Sequence, residues 1–179
     1  MKVAITGATG FVGSRLVERL QKQGMKILVL TRNTASARRL FPANVYPDVE
    51  IIAYTPTASG PWQNEITNCQ GIINLAGSPI SEGRWTTERK QEILNSRKLT
   101  TQKIVEAIAN SSTKPQVLVN ASAIGYYGTS ETATFDENSP SSNDFLSEVC
   151  QVWETEAQKV TDSNVRLVIL RFGIVLGMG

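Results

Sequence analysis

The stretch KVAITGATGFVGSRLVERL, residues 2–20, changes its period half-way along. Lys2 to Thr6 is nearly continuous apolar sequence, the pattern of a strand buried on both faces. Val12, Leu16 and Leu20 then recur at helical spacing, and Gly24 stands where a helix C-terminus is expected. Between the two lie Gly7, Gly10 and Gly13, spaced G-x-x-G-x-x-G. Glycines at such a junction let the backbone turn tightly and approach a pyrophosphate, while free N–H groups of the helix start face its negative charge. A strand before the motif and a helix after it are the context that makes it a dinucleotide cradle.

The same alternation continues outward. Short apolar runs at 26–31, 49–55, 71–77, 116–123 and 165–171 read as further strands. Helical patterns fall between them, at Ile93–Ile108 and in NDFLSEVCQVWETE (143–156), whose apolar residues are Phe145, Leu146, Val149, Val152 and Trp153. Strands alternating with helices predict a Rossmann-type α/β fold: a doubly wound parallel sheet with helices on both faces, one domain over 1–179. The sequence stops in LRFGIVLGMG, a glycine-bearing loop just after a strand, with no capping helix. That ending is expected of a piece of a longer protein.

Composition removes several classes of function. The 179 residues are 41% hydrophobic and 19% charged, with a net charge of +2 and no histidine. A Ser-His or Cys-His nucleophile pair and a histidine-ligated metal are therefore excluded. Near-balanced charge without a basic stripe argues against nucleic acid or an anionic membrane as partner, and leaves a small molecule as the expected substrate. No apolar run approaches the roughly 20 residues of a membrane span. Met1 leads straight into a strand rather than a signal sequence, and Cys69 and Cys150 read as buried reduced thiols. A cytoplasmic domain is expected.

The end of the second strand selects the dinucleotide. About 20 residues past the glycines an NAD site offers a carboxylate to the ribose 2′-hydroxyl, whereas arginine accommodates a 2′-phosphate. The sequence here is VLTRNTASARR (29–39), with Arg32 in position and no carboxylate beside it, so NADP(H) is the expected cofactor. Arg38 and Arg39 either add charge or are solvated helix surface. Ala76 and Gly77, in NLAG (74–77), are small enough for a cofactor to pass closely, and equally suited to strand–helix packing.

Together TGATGFVG, NLAG, NASAIGYYG (120–128) and RFGIVLG (171–177) resemble the extended short-chain dehydrogenase/reductase superfamily along the whole chain. The pairs Arg84-Trp85, Ser96-Arg97 and Trp153-Glu154 resemble its atypical, epimerase-like subgroup of nucleoside-diphosphate-sugar epimerase type. The resemblance implies cofactor contacts at Gly7, Thr9, Gly10, Phe11, Val12, Arg32, Ala76 and Gly77, with Ser78 or Arg84 nearby. It also implies a smaller C-terminal substrate domain, lacking here, and a catalytic role for Ser122, which topology places at the ligand-binding edge of the sheet.

One departure is plain. Standard members carry a tyrosine and, four residues later, a lysine on the last helix; aligned on Glu154, those places hold Leu146 and Cys150. Losing the pair removes a proton-transfer element worth about 10²–10⁴ in rate. Tyr126 or Tyr127 could supply a phenol instead, Tyr127 being the candidate catalytic residue beside Ser122, or both rings could simply pack beneath the cofactor. Cys150 and Trp153 suit packing, Glu154 could orient an arginine, Asp136 and Glu137 suit a solvated turn, and Arg171 and Gly173 could line the nicotinamide side. Two functions follow: an NADP(H)-dependent oxidoreductase or epimerase, or a non-catalytic NADP(H)-binding regulatory protein.

Overall fold

The structure, a computed structural model, describes residues 1–177. Six parallel strands form one sheet in the order β3-β2-β1-β4-β5-β6. They are β1 (Lys2–Thr6), β2 (Lys26–Thr31), β3 (Val49–Ala53), β4 (Gly71–Asn74), β5 (Val117–Ala123) and β6 (Arg166–Phe172). The helices between them are α1 (Phe11–Lys22), α2 (Thr34–Leu40), the short α3 (Trp62–Glu65), α4 (Thr87–Asn110) and α5 (Phe145–Gln158). The Rossmann reading holds, with the strand order reversing between β1 and β4. That reversal opens a crevice beyond the carboxyl ends of the two strands, where doubly wound sheets bind ligands.

Each strand is apolar on both sides because each side is covered. Val3, Ile5, Ile27, Val29 and Ile51 pack with Val17 of α1 and Ala37 of α2 on one face. Ala4, Leu28, Leu30, Ile72 and Leu118 pack with Trp62, Ile104 and Ile108 on the other. Two expected strands end sooner than their apolar runs: β3 stops at Ala53 and β4 at Asn74. Beyond β3, Tyr54 turns into the core edge-on to Trp62; beyond β4, the backbone swings over the glycine turn. Gly24 adopts φ +74° just after α1, as its place in the sequence predicts. Asp144 caps α5 by accepting from Ser147 N–H at 3.0 Å.

A row of buried polar side chains crosses the sheet near its carboxyl edge. Thr6, Asn74 and Asn120 are register partners on β1, β4 and β5, and all are fully buried. The Thr6 hydroxyl donates to Asn74 Oδ1 (2.7 Å), and Asn74 Nδ2 donates to Asn120 Oδ1 (2.7 Å) and Thr101 Oγ1 (3.0 Å). Slipping any of these strands by one residue would strand these groups without partners, so the row fixes register where the site is built. Asn74→Ala is expected to lower the unfolding free energy by about 3 kcal/mol in urea titrations, through the donors and acceptors it orphans. A change within experimental error would contradict that role.

Candidate functional site

The turn after β1 needs glycine for space as well as for backbone angle. Gly7 has φ +68°, and a Cβ there would sit 2.7 Å from the carbonyl carbon and oxygen of Leu75, in the segment leaving β4. A Cβ on Gly13 would overlap the carbonyl oxygen of Gly7. The Gly10 N–H donates to that same oxygen at 3.0 Å, closing the turn. Gly10 is also the N-cap of α1; it supplies no side-chain cap, and the first turn holds no acidic residue. The leading N–H groups of a 12-residue helix thus point outward uncapped, with the positive end of its dipole. This cradle fits a pyrophosphate, and a single methyl group would fill it.

Around the cradle, Thr9 and Gly10 are exposed and Val12 is half-buried. Phe11 is exposed and lies against Gly177, and with Val12, Arg15, Val175 and Leu176 it walls a groove of about 380 Å³. Arg32 is exposed at the end of β2 and has no ion-pair partner among the described residues. The following residue, Asn33, caps α2 by accepting from Ser36 N–H. Ala76 is half-buried and Gly77 exposed in the segment that crosses the turn. Ser78 is anchored on α4: its N–H donates to Ser96 Oγ (3.0 Å) and its hydroxyl to Glu92 (2.6 Å). Those bonds to Ser78 and Arg89 hold the Glu92 carboxyl below its usual range. Arg84 lies exposed in the loop before α4, where the neighbouring Trp85 indole donates to Ile80 C=O and meets Phe145 edge-on.

The other half of the site sits at the ends of β5 and β6. Ser122 and Arg171 are register partners, and Glu154 reaches over both from α5. The Ser122 hydroxyl donates to Glu154 Oε1 at 2.6 Å. Arg171 grips the same carboxylate with two parallel bonds, Nε to Oε1 (2.9 Å) and Nη2 to Oε2 (2.8 Å). Its Nη1 donates to Tyr127 Oη (2.8 Å) and to the Glu137 carbonyl (3.1 Å), and its plane stacks on Tyr126 at 3.6 Å. Tyr127 in turn stacks on Phe135. The bonds to Glu154 hold the Arg171 guanidinium charged well above its usual range. Ser122, Tyr127, Glu154 and Arg171 therefore form one continuous network.

A family model for the NAD-dependent epimerase/dehydratase family matches residues 3–179. The chain belongs to that family. Among curated relatives it is 48% identical to the chloroplastic SDR39U1 homologue of Arabidopsis thaliana, an epimerase family protein, over 99% of this chain and 50% of that one. It is 38% identical to the epimerase family protein YfhF of Bacillus subtilis, over 99% of this chain and 56% of that one. The chain thus spans about half the length of the curated relatives it matches. Human SDR39U1 (isoform 2), solved with NADPH, superposes with a TM-score of 0.78 at 29% identity, covering 100% of this chain and 56% of that one. UDP-glucuronic acid 4-epimerase from Bacillus cereus, at 19% identity and a TM-score of 0.80, shares the fold.

Within this epimerase-family chain, Leu146 and Cys150 lie where α5 meets the end of β5. Leu146 packs on Gly125, where an added Cβ would come within 3.3 Å of the leucine Cβ. Cys150 is buried with Sγ 3.7 Å from the Ala123 carbonyl, and burial pushes its thiol up. Both residues fasten α5 to the end of β5. Trp153 is core, as its pattern predicts, and Glu154 does orient an arginine. Asp136 is exposed, its carboxylate accepting from Asn138 N–H and the Ser139 hydroxyl, the solvated turn expected. Sequence reasoning missed the Asn74–Asn120 row, which needs strand register to be seen. It also gave Arg97 no role, since nothing in the sequence says that its side chain folds back over Trp153.

The Arg171–Glu154 pair is largely enclosed, with side-chain exposures of 18% and 6%. Arg171→Met leaves an unpaired carboxylate there and is expected to lose about 3–5 kcal/mol of unfolding free energy. The double variant Arg171→Met/Glu154→Met removes both charges and should lose clearly less than Arg171→Met alone. Denaturant titrations of the three proteins decide it; additive losses would mean that the two side chains do not depend on one another.

Proposed function

We propose that this chain is the NADP(H)-binding domain of an atypical epimerase-type oxidoreductase acting on a carbonyl or sugar-nucleotide substrate. The observation that carries the proposal is the continuous edge from Arg32 to Ser122. An exposed unpaired cation, a cradle of glycine backbone and an uncapped helix start follow one another across β2, β1 and β4. The presence of NADPH in human SDR39U1, 29% identical over the whole of this chain, supports it.

In this reading Arg32 takes the 2′-phosphate, and Gly7, Thr9, Gly10, Phe11 and Val12 surround the pyrophosphate. Ala76, Gly77 and the anchored Ser78 lie beneath the second nucleoside, with Arg84 above it in the loop. Bound nicotinamide supplies the hydride chemistry. The chain supplies the proton route: Ser122 Oγ takes a proton from a substrate oxygen as its own passes to Glu154 Oε1, and Arg171 holds that carboxylate in place. Tyr127, whose Oη accepts from Arg171, stands at the edge of the same network. The substrate is a small molecule rather than nucleic acid or membrane lipid, in keeping with the near-neutral charge. No helix among the described residues is long and apolar enough to cross a membrane. The two buried free cysteines suit a reducing compartment such as the cytoplasm.

The second reading, a non-catalytic NADP(H)-binding regulatory protein, is favoured by the apolar packing of Leu146 and Cys150. The two part on whether the full-length protein oxidises NADPH with any of a panel of aldehydes and ketones, or reduces NADP⁺ with, or epimerises, any of a panel of nucleotide sugars.

Calorimetric titration tests the cofactor. NADPH is expected to bind at least about ten-fold more tightly than NADH, the worth of charge-assisted bonds to one phosphate. Arg32→Ala should erase the difference by weakening NADPH alone. Equal affinities, or no binding of either, would overturn the assignment.

A further inference from the structure

The near-neutral net charge conceals an uneven distribution. The helices α1 and α2 carry Arg15, Arg19, Lys22, Arg38 and Arg39 against a single acid, Glu18. Five cations and one acid leave these two helices at +4, more than the +2 of the whole chain. Everything outside them is therefore net negative. Both helices pack on the same face of the sheet, through Val17 and Ala37, and all five cations are exposed. Glu18 pairs with Arg15 and Lys22, whereas Arg19, Arg38 and Arg39 have no ion-pair partner among the described residues. On the opposite face, α4 and the adjoining α5 hold five cations and six acids.

The positive excess lies beside the cofactor crevice but out of reach of it. Helix α1 begins after Gly10 at the glycine cradle and rises about 1.5 Å per residue, which sets Arg19 about 13 Å and Lys22 about 18 Å along it. Neither side chain reaches a pyrophosphate held by the first N–H groups, so whatever these cations do for a ligand they do through space. A wall lined by one sign of charge concentrates ions of the other sign and raises their rate of arrival. The Debye length of about 30 Å at 10 mM ionic strength spans the whole helix, and at 1 M it shrinks to about 3 Å. NADPH carries about four negative charges and NADH about two, the difference being the 2′-phosphate.

We infer that the α1–α2 face is an electrostatic guide for NADP(H). It speeds the arrival of the more highly charged cofactor, and so adds a kinetic preference to the one Arg32 exerts by contact. This inference rests on the NADP(H) reading above.

Stopped-flow mixing followed by nicotinamide fluorescence separates arrival from retention. For the unaltered chain, the association rate constant of NADPH should fall steeply between about 10 mM and about 1 M ionic strength, and that of NADH less steeply. Arg19→Glu/Lys22→Glu should slow NADPH association at about 10 mM by about ten-fold or more and NADH association by clearly less, with both dissociation rates unchanged. Glu18→Gln removes the one acid and should speed NADPH association, an effect of opposite sign that loss of folding cannot imitate. The charge-conserving variant Arg19→Lys/Lys22→Arg should match the unaltered chain, and at about 1 M all four proteins should agree. Association rates indifferent to salt, equal rates in the charge-reversed variant at low salt, or a loss residing in dissociation would overturn the inference. If the unaltered chain binds neither nucleotide, the NADP(H) reading itself fails; binding at rates that ignore these charges refutes only the guide.

Discussion

Everything at the carboxyl edge of the sheet depends on how closely the turn after β1 approaches the strand beside it. Gly7 carries its backbone against Leu75 and Ala76 at a separation that leaves no room for a methyl group, and Gly13 lies as tightly under Gly7. That approach brings the start of α1 level with the segment after β4, so uncapped N–H groups and a small-residue floor share one crevice. The row Thr6–Asn74–Asn120 holds the three strands in the register this geometry needs. Steric and polar constraints thus act on adjacent residues: Thr6 belongs to the row and Gly7 to the turn.

Charge is distributed along the same edge with a consistent logic. Arg171 is neutralised by Glu154 and fixed by Tyr126 and Tyr127, so its positive charge is internal and structural as well as poised beside Ser122. Among the described residues Arg32 and Arg97 have no ion-pair partner, and they stand on opposite sides of the glycine turn. An edge carrying two uncompensated cations with a helix N-terminus between them is complementary to a ligand bearing several anionic and hydroxyl oxygens in a row. Leu146 and Cys150 of α5 pack against the end of β5, and beside them the Ser122 hydroxyl donates to the Glu154 carboxylate at 2.6 Å.

Much of this was legible in the sequence because it is written in local patterns. The G-x-x-G-x-x-G turn, the doubly apolar strands and Arg32 at the end of β2 each follow from a short window and its period. The early ends of β3 and β4 were not: Tyr54 and Leu75 continue an apolar run and each still gives one N–H bond to the neighbouring strand, to Thr31 and Thr6, before the chain leaves the sheet. Ser122 was readable as a residue of the sheet edge, but its bond to Glu154 joins positions 32 apart. The convergence of Glu154 and Arg171 on it requires the β5–β6 register. Arg97 entered the sequence reading only as half of the Ser96-Arg97 pair, and only the fold shows it turned inward over Trp153.

The most direct test of the cleft is a ¹⁵N–¹H NMR titration of the labelled chain with NADPH. The largest amide shifts are expected at Gly7, Gly10 to Gly13 and Gly77, with the Arg32 side-chain Nε–H resonance moving in step. Shifts concentrated instead along the outer groove formed by Ile124, Phe135 and Phe172, with the glycine turn unmoved, would contradict the assignment of the β1–β4 crevice as the cofactor site.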